Sequence, residues 1–246
     1  MNEDERVGVA IGIITRGPVN IKWMMHMDRF RHHIPGGLFW KYFVVEGTDG
    51  YAVNRNKMVE EVKKEGFKYL FFLDDDVFVP DDTLTRMLQS KKDIVTGIYW
   101  TKNDQQSPVI FEKEGAGPMY DFPVGEMFEV QSSGLGCVLI NMDVFDAFDK
   151  AGIPYFKENW VMELDNGKNI HCPIGEDHYF YNKARKLGYK VWADGNILCD
   201  HYNSSNKTFY PTPEVVRKVV SPMLTDEEKK MDNPFKRGGV EQCQKK

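Results

Sequence analysis

No CxxC pair occurs among the four cysteines of this chain, Cys137, Cys172, Cys199 and Cys243, so neither a zinc site nor a disulfide framework is indicated. Reduced thiols in a cytosol-like compartment are the expectation. Long apolar runs are missing too. The longest, residues 7–14, falls far short of the ~18 residues that a membrane-spanning helix requires, and mean hydropathy is −0.49. Positive charge is not in excess: 37 acidic residues face 32 basic ones for a net charge of −5, a balance with no field favouring a nucleic-acid backbone. The opening MNEDER is acidic and polar, the wrong sign for a secretory or mitochondrial leader. A cytoplasmic protein with no transmembrane segment and no nucleic-acid partner is expected.

What is present is the make-up of a folded globular protein, with 41% hydrophobic, 28% charged and 13% aromatic residues over 246 positions. The first hundred residues alternate apolar runs with helical patterns. Residues 7–14 read as a strand buried on both faces. Asn20 is placed to cap a helix carrying Trp23, Met24 and Met27. Strands are expected at 42–45, 69–73 and 94–99. A helix at 53–65 puts Met58, Val59 and Val62 on one face and ends at Gly66. A shorter helix, capped by Asp81 or Asp82, carries Leu84, Met87 and Leu88. This repetition predicts an α/β fold with a mainly parallel central sheet flanked by helices, and ligands bound beyond the carboxyl ends of its strands.

Beyond Trp100 the pattern weakens into Gly/Pro-rich sequence up to Val130. A strand at 137–140 and a helix at 144–148 follow, the helix ended by Gly152 and Pro154. Gly175 precedes a helix with Phe180, Ala184 and Leu187 at helical spacing, stopped by Gly188. Strands at 190–193 and 197–199 and a short helix from Thr212-Pro213 to position 220 complete the reading. With neither repeats nor a linker, one domain over 1–205 and a helical, charged tail over 206–246 are expected.

The segment FFLDDDVFVP carries the strongest chemical signal. Three carboxylates directly follow a buried strand, and like charges so packed need a cation or donors to remain ionised. In extended backbone Asp74 and Asp76 face one side and Asp75 the other. Two hard oxygen ligands on one side suit Mg²⁺ or Mn²⁺, which keep positions open for phosphate oxygens. A solvated acidic turn is the plain alternative. A second acidic pair, Glu176-Asp177 of Gly175-Glu176-Asp177-His178, opens a helix, where the macrodipole favours carboxylates by about 0.3–1 kcal/mol. Asp177 precedes Phe180 and Ala184 by three and seven residues, which sets it on the inward face. Asp200-His201 follows a strand, where a histidine can complete a hard-metal site. His32-His33 and His171-Cys172 read as structural.

Together these pieces resemble the nucleotide-diphospho-sugar glycosyltransferases of the GT-A fold, a Rossmann-like single domain, and in particular the family 2-like bacterial, phage and viral enzymes. The matching residues are Ile13-Ile14-Thr15-Arg16, Glu46, Asn54-Arg55-Asn56, FLDDDVFVP, GLGCVLI, GEDHYFYNKARKLGYKVWAD and Asp200-His201, running from about Val7 to Tyr202. The resemblance implies a hexosyltransferase-type enzyme that takes a UDP- or GDP-sugar with Mn²⁺ or Mg²⁺ and glycosylates a carbohydrate, lipid-linked or protein acceptor. It makes Asp74-Asp75-Asp76 the DxD motif, with Asp74, Asp76 and His201 at the metal. Asp177 becomes the base that deprotonates the acceptor, with Glu176 beside it. Thr15, Arg16, Glu46, Arg55, Asn56, Asp74 and Asp75 fall on the donor side, Arg55 near the diphosphate. Gly134, Gly136 and Trp100 fall on the acceptor side. Attack from the face opposite the diphosphate inverts the anomeric centre.

Tyr99, Trp100, Tyr155, Phe156 and Trp160 offer stacking surfaces for sugar rings, against ordinary core packing as the simpler reading. Three other functions fit less well. A haloacid-dehalogenase-like phosphatase also places DxD after a strand, but wants Thr or Val where Phe78 stands. A sugar-phosphate nucleotidyltransferase needs a tighter glycine-rich basic loop than GIITRGPVN. A non-catalytic carbohydrate-binding protein is the alternative outside enzymes.

Overall fold

The structure, a computed structural model, describes residues 8–113, 115–159, 162–163, 169–170, 175–214 and 216. The chain opens with β1 (Gly8–Thr15), buried along its whole length as its apolar run predicts, then α1 (Ile21–Arg31), β2 (Phe39–Glu46) and α2 (Tyr51–Lys64). β3 (Tyr69–Leu73) leads through the acidic triplet into β4 (Val77–Phe78), followed by α3 (Thr83–Gln89) and β5 (Ile94–Ile98). The weakly patterned region holds β6 (Ile110–Phe111), β7 (Met127–Val130) and β8 (Ser132–Ser133). After it come β9 (Cys137–Asn141), α4 (Met142–Ala151), β10 (Met162–Glu163), β11 (Asn169–Ile170) and α5 (Glu176–Lys186). β12 (Val191–Leu198), β13 (Asp200–Asn203) and β14 (Thr208–Tyr210) close the described chain.

Seven strands form the central sheet in the order β2-β1-β3-β9-β5-β12-β7. β2, β1, β3, β5 and β12 run one way, while β9 and the edge strand β7 run the other. The fold is thus α/β with a mainly parallel central sheet flanked by helices, and β9 wedged between β3 and β5 is the departure from a pure βαβ array. Alternate residues of β1 serve opposite faces. Val9, Ile11 and Ile13 share a core cluster with Trp23, Met27 and Phe30 of α1, whereas Gly12 lies against Met58 of α2. Asn20 caps α1 by accepting the Lys22 N–H at 2.8 Å. Of the residues expected on this helix Trp23 and Met27 are buried and Met24 is exposed, and His26 joins the buried face.

Two further local expectations are revised. Asp81 and Asp82 do not cap α3 with their side chains: Asp81 pairs with Arg29 at 2.9 Å and Asp82 with Arg86. The two short strands expected at 190–193 and 197–199 are one strand, β12, whose register with β5 shifts between Ala193 and Leu198. Asp200-His201 follows β12 as expected, and His201 itself lies in β13, within a small antiparallel sheet β14-β13-β4. The compact unit runs to Thr212, so β14 lies past the expected boundary at 205. Of the second unit, Pro213–Lys246, the described residues are 213, 214 and 216. Trp160, His171, Cys172, Cys243 and most of the helix expected up to 220 lie outside the described residues. Cys137 and Cys199 are buried free thiols. No described helix is long and apolar enough to cross a membrane.

Two contacts from α1 fix the strand after the acidic triplet. Trp23 Nε1 donates to the Val77 carbonyl at 3.0 Å, and His26 Nε2 accepts the Val79 N–H at 3.2 Å. His26 must be neutral at Nε2 to accept. Burial, reinforced by the nearby Arg29 charge, lowers its pKa from 6.5 to about 4, with Asp81 opposing. Between these values the unfolded chain takes up a proton that the fold refuses, so stability falls with falling pH across that window. The full loss is about 3 kcal/mol at and below pH 4. His26→Gln, which keeps an acceptor but cannot titrate, is expected to flatten urea midpoints measured from pH 7 down to 4.5. An acid slope as steep as that of the parent chain would show that His26 is not its source.

Candidate active site

The acidic triplet is a turn and not an extended strand. The Asp74 N–H donates to the Gly136 carbonyl at 3.0 Å, and the Val77 N–H returns to the Asp74 carbonyl at 3.1 Å. The alternation expected of extended backbone is therefore lost, and the three carboxylates go to different partners. Asp74 Oδ1 meets Arg55 Nη2 at 3.2 Å. Asp75 reaches the Thr15 hydroxyl; burial still raises its pKa, helped by the charges of its two neighbours. Asp76 places Oδ1 3.2 Å from His201 Nε2 and Oδ2 against the Lys102 ammonium. Burial works to raise the Asp76 pKa, but the His201 and Lys102 contacts outweigh it and hold the group below the usual carboxylate value.

His201 arrives there through the small sheet. Its register sets His201 opposite Val77, and the Tyr202 N–H donates to the Asp76 carbonyl at 2.8 Å. His201 Nδ1 lies 2.7 Å from the Trp100 carbonyl. A carbonyl only accepts, so Nδ1 donates to it and Nε2 is the ring atom that faces Asp76. A proton on Nε2 closes that contact, and a divalent ion would take the proton's place between Oδ1 and Nε2, so Asp76 with His201 fit such an ion. Asp74 Oδ1 is committed to Arg55, which leaves its Oδ2 for any role toward a metal. Among the described residues no group of three His, Cys, Asp or Glu side chains gathers as a metal cluster.

Arg55 is 3% exposed and spans the site. Besides Asp74 it reaches Glu176 with Nε at 3.3 Å and the Leu135 carbonyl with Nη1 at 3.5 Å, and it lies 5.0 Å over the Phe72 ring. Burial by itself would lower the Arg55 pKa, but Asp74 and Glu176 more than reverse this. Glu176 shows the opposite balance: burial raises its pKa in spite of Arg55, and Asp177 adds to the rise. The guanidinium that the resemblance sets near a diphosphate is thus tied to two carboxylates of its own chain. α5 is anchored by Phe180, which packs 5.2 Å from Phe156, itself 5.8 Å from Phe72 of β3. Asp177, on the first turn, accepts its neighbour's N–H (His178) on Oδ1 at 2.7 Å and raises the pKa of Tyr99 and Tyr181, whose hydroxyls burial already holds neutral.

The glycines of the 134–136 loop serve close approach. The Gly136 N–H donates to Tyr99 Oη at 3.1 Å, and Tyr181 Oη donates to the Gly134 carbonyl at 3.0 Å. A Cβ on Gly134 would overlap the Tyr99 hydroxyl, and one on Gly136 would stand 2.9 Å from Asp74 Oδ2. An open cleft of about 550 Å³ lies beside these groups, at the carboxyl ends of β1 and β3. It is lined by Arg16 and Tyr51, the three aspartates and Lys102, and by Asn203, Ser204 and Ser205 from the β13–β14 turn. Arg16 stacks over Tyr51 at 3.9 Å.

Other sequence candidates lie differently. Glu46 is exposed in register with Thr15. Asn56 spends both amide atoms on the Phe156 main chain, at 2.9 and 3.1 Å. The Trp100 ring is 2% exposed, and Tyr99, Tyr155 and Phe156 are also buried, so these aromatics pack the core and present no face to a sugar here. Sequence reasoning missed Lys102, Tyr51 and the 203–205 turn. Lys102 lies in the stretch without periodicity, and only the aromatic that opens α2 right after Gly50 hinted at Tyr51.

The site thus consists of an acidic turn at the carboxyl end of β3 in a mainly parallel sheet, with a histidine brought back to it by the small β14-β13-β4 sheet. The chain belongs to glycosyl transferase family 2, whose sequence profile matches residues 4–138. The structure is similar to that of A197 from STIV, with a TM-score of 0.57 and 16% identity over 83% of this chain and 94% of that one. A structure of GalNAc-T7 with UDP, GalNAc and Mn²⁺ gives a TM-score of 0.46 and 14% identity over 92% of this chain and 50% of that one. None of the curated proteins searched matches the sequence. Family membership supports a role in glycosyl transfer.

Removing Arg55 strands two part-buried carboxylates. Arg55→Met is expected to cost about 3–5 kcal/mol in urea unfolding, the usual loss when one partner of a buried pair is deleted. Adding Glu176→Gln should recover part of it. A loss below about 1 kcal/mol, within the range of surface pairs, would show that the bridge does not hold the site together.

Proposed function

We propose that this protein transfers a hexose, with inversion, from a nucleotide-diphosphate sugar to an acceptor hydroxyl, and that a divalent cation serves the reaction. The observation that carries the reading is the Asp76–His201 pair, with Nε2 and Oδ1 3.2 Å apart at the edge of the cleft. Asp76 and His201 would hold the cation, with Asp74 Oδ1 staying on Arg55, and a divalent ion there would supply positive charge against the departing diphosphate.

The chain's own groups do the rest. Arg16, held flat on Tyr51, offers planar donors to phosphate oxygens, and Asp75 with Thr15 sets the wall against which the nucleoside lies. Arg55 couples the donor side to the acceptor side, since Asp74 and Glu176 share its guanidinium. Asp177, held on one oxygen by its neighbour's N–H (His178), takes the acceptor proton as the hydroxyl oxygen attacks C1 and the diphosphate departs from the opposite face. Such a base contributes about 10²–10⁴-fold to the rate. Asn56 and Trp100 take positioning roles here, through Phe156 and through the carbonyl that orients His201. The buried free thiols are in keeping with a cytoplasmic setting, and the acceptor is a carbohydrate, lipid-linked or protein hydroxyl.

Thermal melts with UDP, GDP, CDP and dTDP, each with Mn²⁺ and again with EDTA, test the donor assignment. Stabilisation of about 2.7 kcal/mol at 100 times the dissociation constant is expected for one nucleotide, and should vanish with EDTA. Asp177→Asn should keep that binding while turnover falls by about 10²–10⁴-fold. No shift with any nucleotide sinks the donor reading, and a retained anomer in the product NMR spectrum sinks inversion.

A further inference from the structure

The proposed cation position has a resident positive charge. Lys102 places its ammonium on Asp76 Oδ2, while His201 takes Oδ1 of the same carboxylate. One short segment bears on both contacts. The Trp100 carbonyl orients His201 at 2.7 Å, and Lys102 follows two residues later. That segment is a closed turn: the Thr101 N–H donates to the Ser107 carbonyl at 2.8 Å, and the Ser107 N–H donates to Thr101 Oγ1 at 2.9 Å. Lys102 therefore projects from a fixed base. Its side chain is 32% exposed and lines the cleft, so the flexible stem has room to leave.

Charge in the cleft explains why a lysine stands there. Arg55 is shared between Asp74 and Glu176, so it leaves Asp76 unmatched, and Lys102 is the cation that meets it. A divalent ion at Asp76 Oδ1 and His201 would stand within a few ångströms of an ammonium on Oδ2, and the repulsion between the two positive charges weakens the hold of the lysine. We propose that Lys102 is an exchangeable internal counter-ion: it occupies Asp76 when no metal is bound, and a divalent ion entering at Asp76 and His201 turns it out into the cleft. Metal binding and release of Lys102 are then one event. The released ammonium then joins Arg16 as a second positive group on the side of the cleft where the diphosphate arrives. This rests on the assignment of Asp76 and His201 as cation ligands.

The test is Mn²⁺ binding to the full chain without nucleotide, followed by electron paramagnetic resonance of the free ion. Lys102→Met and Lys102→Gln are expected to tighten Mn²⁺ binding roughly three- to tenfold, the gain from removing a partly buried competitor. Lys102→Arg should bind like the parent chain, and His201→Ala should weaken binding. If the neutral variants bind Mn²⁺ no more tightly while His201→Ala still weakens it, the cation site stands and the exchange is refuted. If His201→Ala leaves the affinity unchanged, or if no form binds Mn²⁺, the cation site itself fails and the exchange falls with it. Melting each variant first establishes that it is folded.

Discussion

A guanidinium that is 3% exposed must find its counter-charge inside the protein, and Arg55 finds it twice, in Asp74 and in Glu176. The cost of taking these charges out of water is offset only if all three stay together. That requirement draws together α2, which carries Arg55, the turn after β3, and the first turn of α5. The Phe72, Phe156 and Phe180 rings supply the apolar floor under this bridge. Coulombic attraction above and aromatic packing below thus fix the two acidic motifs relative to each other.

The second constraint is geometric. The three aspartates follow a strand buried in the central sheet, yet they do not continue it, because the Asp74 carbonyl closes a turn on Val77. The turn separates their partners and so avoids stacking three like charges on one face. α1 then holds the outgoing strand through Trp23 and His26, and the small β14-β13-β4 sheet returns His201 to Asp76. Rigid supports on both sides of the triplet are what an electrostatic site needs, since its groups must be in place before charge develops. The mobile charge in this arrangement is Lys102, which has solvent on one side and a fixed turn behind it.

Much of the scaffold was legible from local pattern. Residues 69–73 match β3 residue for residue, and Asn20 caps α1 through its side chain as expected. Gly152 and Gly188 end helices with φ of +66° and +95°, a backbone that glycine adopts without strain. The failures are equally local in origin. Asp81 and Asp82 looked like caps because caps and ion-pair partners use the same residue types, and only tertiary proximity to Arg29 and the i+4 position of Arg86 decided otherwise. Trp100 looked like a sugar platform because an aromatic side chain does not announce in sequence whether its ring is buried.

What the sequence determined by itself was the order of strands and helices and the presence of acids at the carboxyl end of a buried strand. Apolar periodicity and glycine placement act over a few residues, and they are visible in a few residues. What the tertiary structure alone decided was which charge each acid meets. Arg55 and Glu176 lie 121 residues apart, and Asp76 and His201 lie 125 apart. Their pairing depends on the antiparallel insertion of β9, the aromatic floor under α5 and the register of a sheet whose strands are two to four residues long. Charges choose partners by distance in space, and burial makes the choice binding; neither quantity is written in the spacing of residues along the chain.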